Sequence, residues 1–68
     1  MTKDEFISLI TIIHGFQKED SPTTTLVYRR GSITLYIRDH SVSIYKNANI
    51  QKRIENNFSA ALDFIGNL

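Results

Sequence analysis

Cysteine is absent, so no disulfide can staple this chain and no thiolate can anchor a zinc ion. The two histidines, His14 and His40, are too few to replace such a site, and nothing in the sequence calls for a cofactor or a metal. None of the three glycines sits in a phosphate-loop pattern, and neither paired carboxylates nor metal-ligand spacings occur. No apolar run approaches the roughly 20 residues that span a bilayer, and the opening MTKDEF carries acids where a signal peptide carries a basic segment. These absences argue against an enzyme, a membrane protein and a secreted disulfide scaffold. The expectation is a cytoplasmic protein with no membrane partner.

The 68 residues make one compact domain, 1–68, near the lower size at which a single core offsets the entropy of folding. No repeat, linker or low-complexity tract divides it. The formal net charge is only +1, yet between residues 29 and 53 Arg29, Arg30, Arg38, Lys46, Lys52 and Arg53 stand against Asp39 alone. That polarity predicts a basic patch, weaker than the pI above 9 of a committed nucleic-acid binder.

Thr2 followed by Glu5 reads as a capping box, so a helix should start near Lys3. Phe6, Leu9, Ile10, Ile13 and Phe16 recur at helical spacing as a stripe to be buried, and Gly15 supplies the left-handed residue that ends it. Ile7 and Ile12 flank the stripe and leave more than half the helix circumference apolar. Residues 17–22 are polar and end in Ser-Pro, which favours extended chain. At the other end, Asn47 or Asn49 can cap a second helix, with Ile50, Ile54, Phe58, Ala61, Leu62 and Ile65 as its stripe and Gly66 as its stop.

Between the helices, β-branched and aromatic residues alternate with polar ones from Thr23 to Lys46, broken only at Arg30-Gly31 and Asp39-His40. This predicts a three-stranded antiparallel meander made of two nested hairpins, 24–38 and 33–46. The expected register sets Tyr28 opposite Ile33, Leu26 opposite Leu35, Ile37 opposite Val42 and Leu35 opposite Ile44, with every large aliphatic on one face. A glycine bulge at Gly31 would shift the first pairing. The fold class is therefore α+β, an αβββα two-layer sandwich with both helices on the aliphatic face.

The second face, carrying Val27, Arg29, Thr34, Tyr36, Arg38, Ser43 and Tyr45, is not needed for a core. Tyrosine and arginine on one sheet face is the mixture enriched in protein interfaces and stacking platforms. Lys52 and Arg53, at the start of the expected second helix, oppose the helix dipole and suit a phosphate clamp. Arg53, Asn57, Ala60 and Phe64 fall on one flank of that helix, and Phe64 with Ile7 and Ile12 is the candidate oligomer interface. Asp39-His40-Ser41 is not a catalytic series, because adjacent turn residues project in different directions; tolerance of positive φ accounts for Asp and His there.

Helix, three strands and helix, with Ser59-Ala60-Ala61-Leu62 in the last helix, resemble the double-stranded-RNA-binding domain over nearly the whole chain. The resemblance implies RNA contacts matched here by Lys52 and Arg53, by Arg30 and Gly31, and by Lys3 and Glu5. The family's Gly-Pro loop with a histidine has no counterpart in this sequence. Size and the lack of catalytic signals also liken the chain in kind to phage and mobile-element inhibitors, anti-CRISPR proteins among them.

Three expectations follow. The first is a non-catalytic module that masks a larger protein or nucleoprotein partner through Val27, Arg29, Tyr36, Arg38 and Tyr45, as an anti-defence inhibitor or accessory factor in the cytoplasm of a bacterial host. The alternative is nucleic-acid binding through Arg29, Arg30, Lys46, Lys52 and Arg53. A homodimer through Ile7, Ile12 and Phe64 is compatible with either.

Overall fold

A computed structural model describes residues 1–68. Helix α1 (Lys3–Ile12) leads into five strands, β1 (Gln17–Glu19), β2 (Leu26–Arg30), β3 (Ile33–Ile37), β4 (Ser41–Lys46) and β5 (Asn49–Glu55), and helix α2 (Phe58–Gly66) closes the chain. The strands form one antiparallel sheet in chain order, β1-β2-β3-β4-β5, and the molecule is α+β. The capping box is present as the spacing of Thr2 and Glu5 predicts: the Glu5 amide donates to Thr2 Oγ1 at 3.1 Å and the Thr2 amide to Glu5 Oε1 at 2.9 Å. Those bonds satisfy two of the orphan donors of the first turn. Neither helix is long and apolar enough to cross a membrane.

The three expected strands are β2, β3 and β4, but the sheet has five members and the order is αβββββα, so the three-stranded meander is corrected. The edge strand β1 comes from the polar run after Gly15, pairing Gln17 with Arg29 and Glu19 with Val27. Its backbone ladder with β2 holds it, so it shows no apolar alternation by which a sequence could announce it. In the first hairpin Arg30 opposes Ile33, so Tyr28 meets Leu35 and Leu26 meets Ile37. The expected pairing is therefore displaced by two residues. Gly31, at φ 57°, opens a two-residue turn with Ser32 and tightens the hairpin. A displacement of two keeps every side chain on its own face. The second hairpin has the expected pairs, Leu35 with Ile44 and Ile37 with Val42.

The larger correction lies after Lys46, where no helix begins. Asn47 and Ala48 take φ of 51° and 66° and form a two-residue turn, returning the chain as β5 with Asn49 opposite Lys46. Two successive positive φ values match the right-handed twist of the flanking strands. Ile50 and Ile54, four apart, look like neighbours on a helix, but four is also two strand repeats. A register irregularity facing Ile44 and Tyr45 then puts Ile50 opposite Tyr45 and Ile54 opposite Val42, on different faces. Helix α2 is capped instead by Asn57, whose Oδ1 accepts the Ala60 amide at 2.9 Å. Asn56, at φ 52°, turns the chain out of the sheet.

The core lies on one face of the sheet. Tyr28, Ile33, Leu35, Ile37, Val42 and Ile44 join Phe6 and Ile10 of α1, Phe16, and Ala61 and Ile65 of α2 in a single buried cluster. The helices start together, with the Phe6 and Phe58 rings 5.4 Å apart. They also end together, since a methyl group built on Gly66 would lie 3.7 Å from the His14 ring. A meander places its first and last strands at opposite edges, and the two helices flanking it fold back over the same aliphatic face. Ile13, expected in the buried stripe, is instead the C-cap of α1 and is 67% exposed.

Candidate functional site

Alternation along five strands fixes what the face without helices presents. One row across the sheet reads Gln17, Arg29, Thr34, Tyr45 and Ile50, and the next reads Glu19, Val27, Tyr36, Ser43 and Arg53. A third row holds Arg38, Ser41 and Glu55: the Arg38 amide donates to the Ser41 carbonyl at 2.9 Å, and Ser41 opposes Glu55. The residues expected on this face from the hairpin pattern are all on it. Tyr36 and Tyr45 stack edge to face at its centre, centroids 5.2 Å apart and planes at 81°. Thr34 and Ser43 are buried among these larger side chains, whereas Val27, Tyr36 and Tyr45 are half-buried. Edge-to-face packing holds the rings in place, so these two side chains have little entropy left to lose on binding.

The structure also brings to the face residues that the sequence reading put elsewhere. Ile50 is 55% exposed beside Tyr45, and Arg53 and Glu55 complete the β5 side. The signal for them was the Asn47-Ala48 turn, which extends the strand alternation by one more strand.

Charges on the face are largely matched locally. Arg29 Nε donates to Glu19 Oε2 and Arg53 Nε to Glu55 Oε1, both at 2.9 Å and both solvent-exposed. Arg38 meets no carboxylate; its Nη1 reaches Ser43 Oγ at 3.4 Å. At the neighbouring turn, the hydrogen bond from Lys3 Nζ at 2.8 Å and the lysine's charge hold the Asp39 carboxyl below its ordinary value. Neither Asp39 nor His40 has a positive φ, so that explanation of their place in the turn is corrected. Instead the turn is tied on both sides, through Asp39 to Lys3 and through the His40 carbonyl, which accepts the Asn56 amide at 2.7 Å.

The cations expected to form one patch are divided between the two faces. Arg29 and Arg53 lie on the open face, while Lys46 and Lys52 follow the opposite parity, with Lys52 across from Ile44. Arg30 is half-buried: its Nη1 donates to the His14 carbonyl at 2.8 Å and its guanidinium lies 4.7 Å from the Phe16 ring centre. Lys52 and Arg53 stand on a strand, so no helix start lies beside them, and the first turn of α2 holds no acid and no lysine or arginine. The grouping of Arg53 with Ala60 and Phe64 on a helix flank is likewise corrected, since β5 carries Arg53. Of the oligomer candidates, Ile7 and Phe64 pack against the core, whereas Ile12 is 81% exposed.

Two neighbouring concavities lie at the Arg38 end of the face. Thr24, Thr25, Arg38, Asp39, His40, Ser41, Arg53 and Glu55 line one of about 540 Å³. The other, about 390 Å³, is bounded by residues that include Pro22, Val27 and Tyr36, and it shares Thr25 and Arg38 with the first. Compared with family models, with curated proteins and with solved structures, the chain has no significant match.

Proposed function

We propose that the chain is a non-catalytic docking module that occupies a surface of a larger protein through its open sheet face. The observation that carries this reading is the Tyr36–Tyr45 pair at the centre of a face that neither helix covers, flanked by Val27 and the exposed Ile50 and rimmed by Arg29, Arg38 and Arg53. Aromatic anchors surrounded by arginine are the composition that concentrates binding energy in protein interfaces. The small size and the lack of a catalytic constellation fit an inhibitor or accessory factor of the phage or mobile-element kind, acting inside a bacterial host. Affinity capture from such a host with wild-type protein and with Tyr36→Ala tests the reading. Capture lost by a variant that keeps its circular-dichroism spectrum supports it, and undiminished capture removes the face from consideration.

A second reading is single-stranded nucleic acid stacked on Tyr36 and Tyr45 with Arg29, Arg38 and Arg53 against phosphates. The shared face of these five residues favours it over duplex binding, for which Arg30, Lys46 and Lys52 would have to join them. Anisotropy titrations at about 50 and about 200 mM salt decide, because phosphate contacts weaken steeply across that range.

A further inference from the structure

The larger of the two concavities has no apolar residue in its wall, and its cations are underused. Ser43 lies between Arg38, whose Nη1 reaches its hydroxyl at 3.4 Å, and Arg53, its cross-strand partner. Arg38 follows β3 and Arg53 lies on β5, so the two line the cleft from either side of β4. Only Nε of Arg53 is engaged, by Glu55, so both its terminal nitrogens are free, and Arg38 meets no acid. Three hydroxyls face the same space. Those of Thr24, Thr25 and Ser41 make no hydrogen bond within the chain. Ser41 is only 6% exposed, yet no buried polar side-chain atom lacks a partner, so its hydroxyl must be what solvent reaches from the cleft.

Guanidinium nitrogens with several hydroxyl donors match the tetrahedral oxygens of a doubly charged phosphate group. The surroundings select how that phosphate arrives. Asp39 and Glu55 share the wall, each already paired, with Lys3 and with Arg53, and Asp20 borders the adjoining concavity. With both wall carboxylates paired, Arg38 is the guanidinium of the cleft that meets no acid, which matches one isolated phosphate and not a strand with a phosphate at every step. Arg38 and Thr25 also line the neighbouring concavity walled in part by Pro22, Val27 and Tyr36, where an apolar neighbour of the phosphorylated residue would lie.

We infer that this cleft receives a single phosphate monoester carried on a side chain of the protein partner. The inference rests on the docking reading and adds to it a chemical class of partner. NMR titration of the isotope-labelled protein with a short peptide containing phosphoserine, its serine twin, inorganic phosphate and a single-stranded oligothymidylate tests it. The phosphopeptide should move the resonances of Arg38, His40, Ser41 and Arg53 while the serine twin leaves them unmoved. Arg38→Gln and Arg53→Gln, at exposed positions, should each weaken binding about tenfold, as expected for the loss of one charge-assisted partner. Lys46→Gln, of opposite parity, should change nothing. The inference is overturned if these resonances stay still, if the serine twin moves them equally, or if inorganic phosphate or oligothymidylate binds more tightly than the phosphopeptide. Each such failure leaves the Tyr36→Ala capture result intact, so the cleft and the docking face are judged separately.

Discussion

Arg30 and Phe16 are joined across the end of the sheet: the guanidinium lies 4.7 Å from the ring centre while Nη1 donates to the His14 carbonyl at 2.8 Å. The contact pins the segment leaving α1 to the last residue of β2. Arg30 therefore satisfies a carbonyl just past the C-terminus of α1 and covers a ring that is itself wholly buried.

Arg30→Ala should accordingly lower stability by about 1–3 kcal/mol, since it removes a charge-assisted hydrogen bond and a cation–π contact together. Arg30→Lys should recover only part of this, because an ammonium lacks the planar fork that serves both partners. Urea unfolding checks it through a fall in midpoint at constant slope. A normal midpoint with weakened ligand binding would instead make Arg30 a contact residue.

The β4–β5 turn places Ala48 at φ 66°, where its Cβ crowds the following carbonyl. Ala48→Gly removes that strain and adds backbone entropy to the unfolded chain, and the first effect is the larger. The expected gain is about 0.5–1 kcal/mol, a rise of several degrees in melting temperature for a domain of this size. Calorimetry would show it, and a lower melting temperature would mean that the turn does not hold this conformation in solution.

The same turn marks where the sequence stopped being legible. The alternation from Leu26 to Ile44 belongs to strands buried on one face, and only a period of two meets that demand. In the 49–55 strand, Ile50 and Ile54 share neither a face nor a burial class, so periodicity had nothing to report, and their spacing of four imitated a helix. For β1 the information lies in backbone pairing and one exposed ion pair, Glu19 with Arg29, which no apolar pattern records. The tyrosine face was readable because its residues belong to strands whose other face is core. Arg53 and Glu55 had no such anchor, and with them the cleft beside Arg38 remained hidden.

Ile50 offers a way to separate docking from packing. At 55% exposure on an edge strand it contributes little to the core, and threonine preserves its β-branching. Ile50→Thr should alter stability by no more than about 0.5 kcal/mol while reducing capture of the partner that Tyr36 helps to bind. Surface plasmon resonance with the captured partner is the measurement. A stability loss well beyond that range would mean that Ile50 packs within the fold, and its place on the docking face would be withdrawn.

Acid should unfold the protein in part through two carboxyls at the sheet end where both helices begin. Glu5 is held below its ordinary 4.5 chiefly by its hydrogen bond with the Thr2 backbone, and Asp39 below its ordinary 3.8 by hydrogen bonding and charge from Lys3. Each is a stronger acid folded than unfolded, so the unfolded chain binds more protons in this range and stability must fall as pH falls. Their contribution is fully present above these ordinary values and is lost as pH drops through the lower folded ones. Melting temperature measured from about pH 6 down to about pH 3 should therefore decline, and the decline should be shallower in Asp39→Asn and Glu5→Gln, the latter keeping the capping geometry without the titration. Since Lys3 is the main partner, Lys3→Met should remove most of the Asp39 part, the smaller share from the His40 charge remaining, and adding it to Asp39→Asn should flatten the decline no further. Additive effects in the double variant would show that Asp39 draws its stabilisation from elsewhere at that end of the sheet.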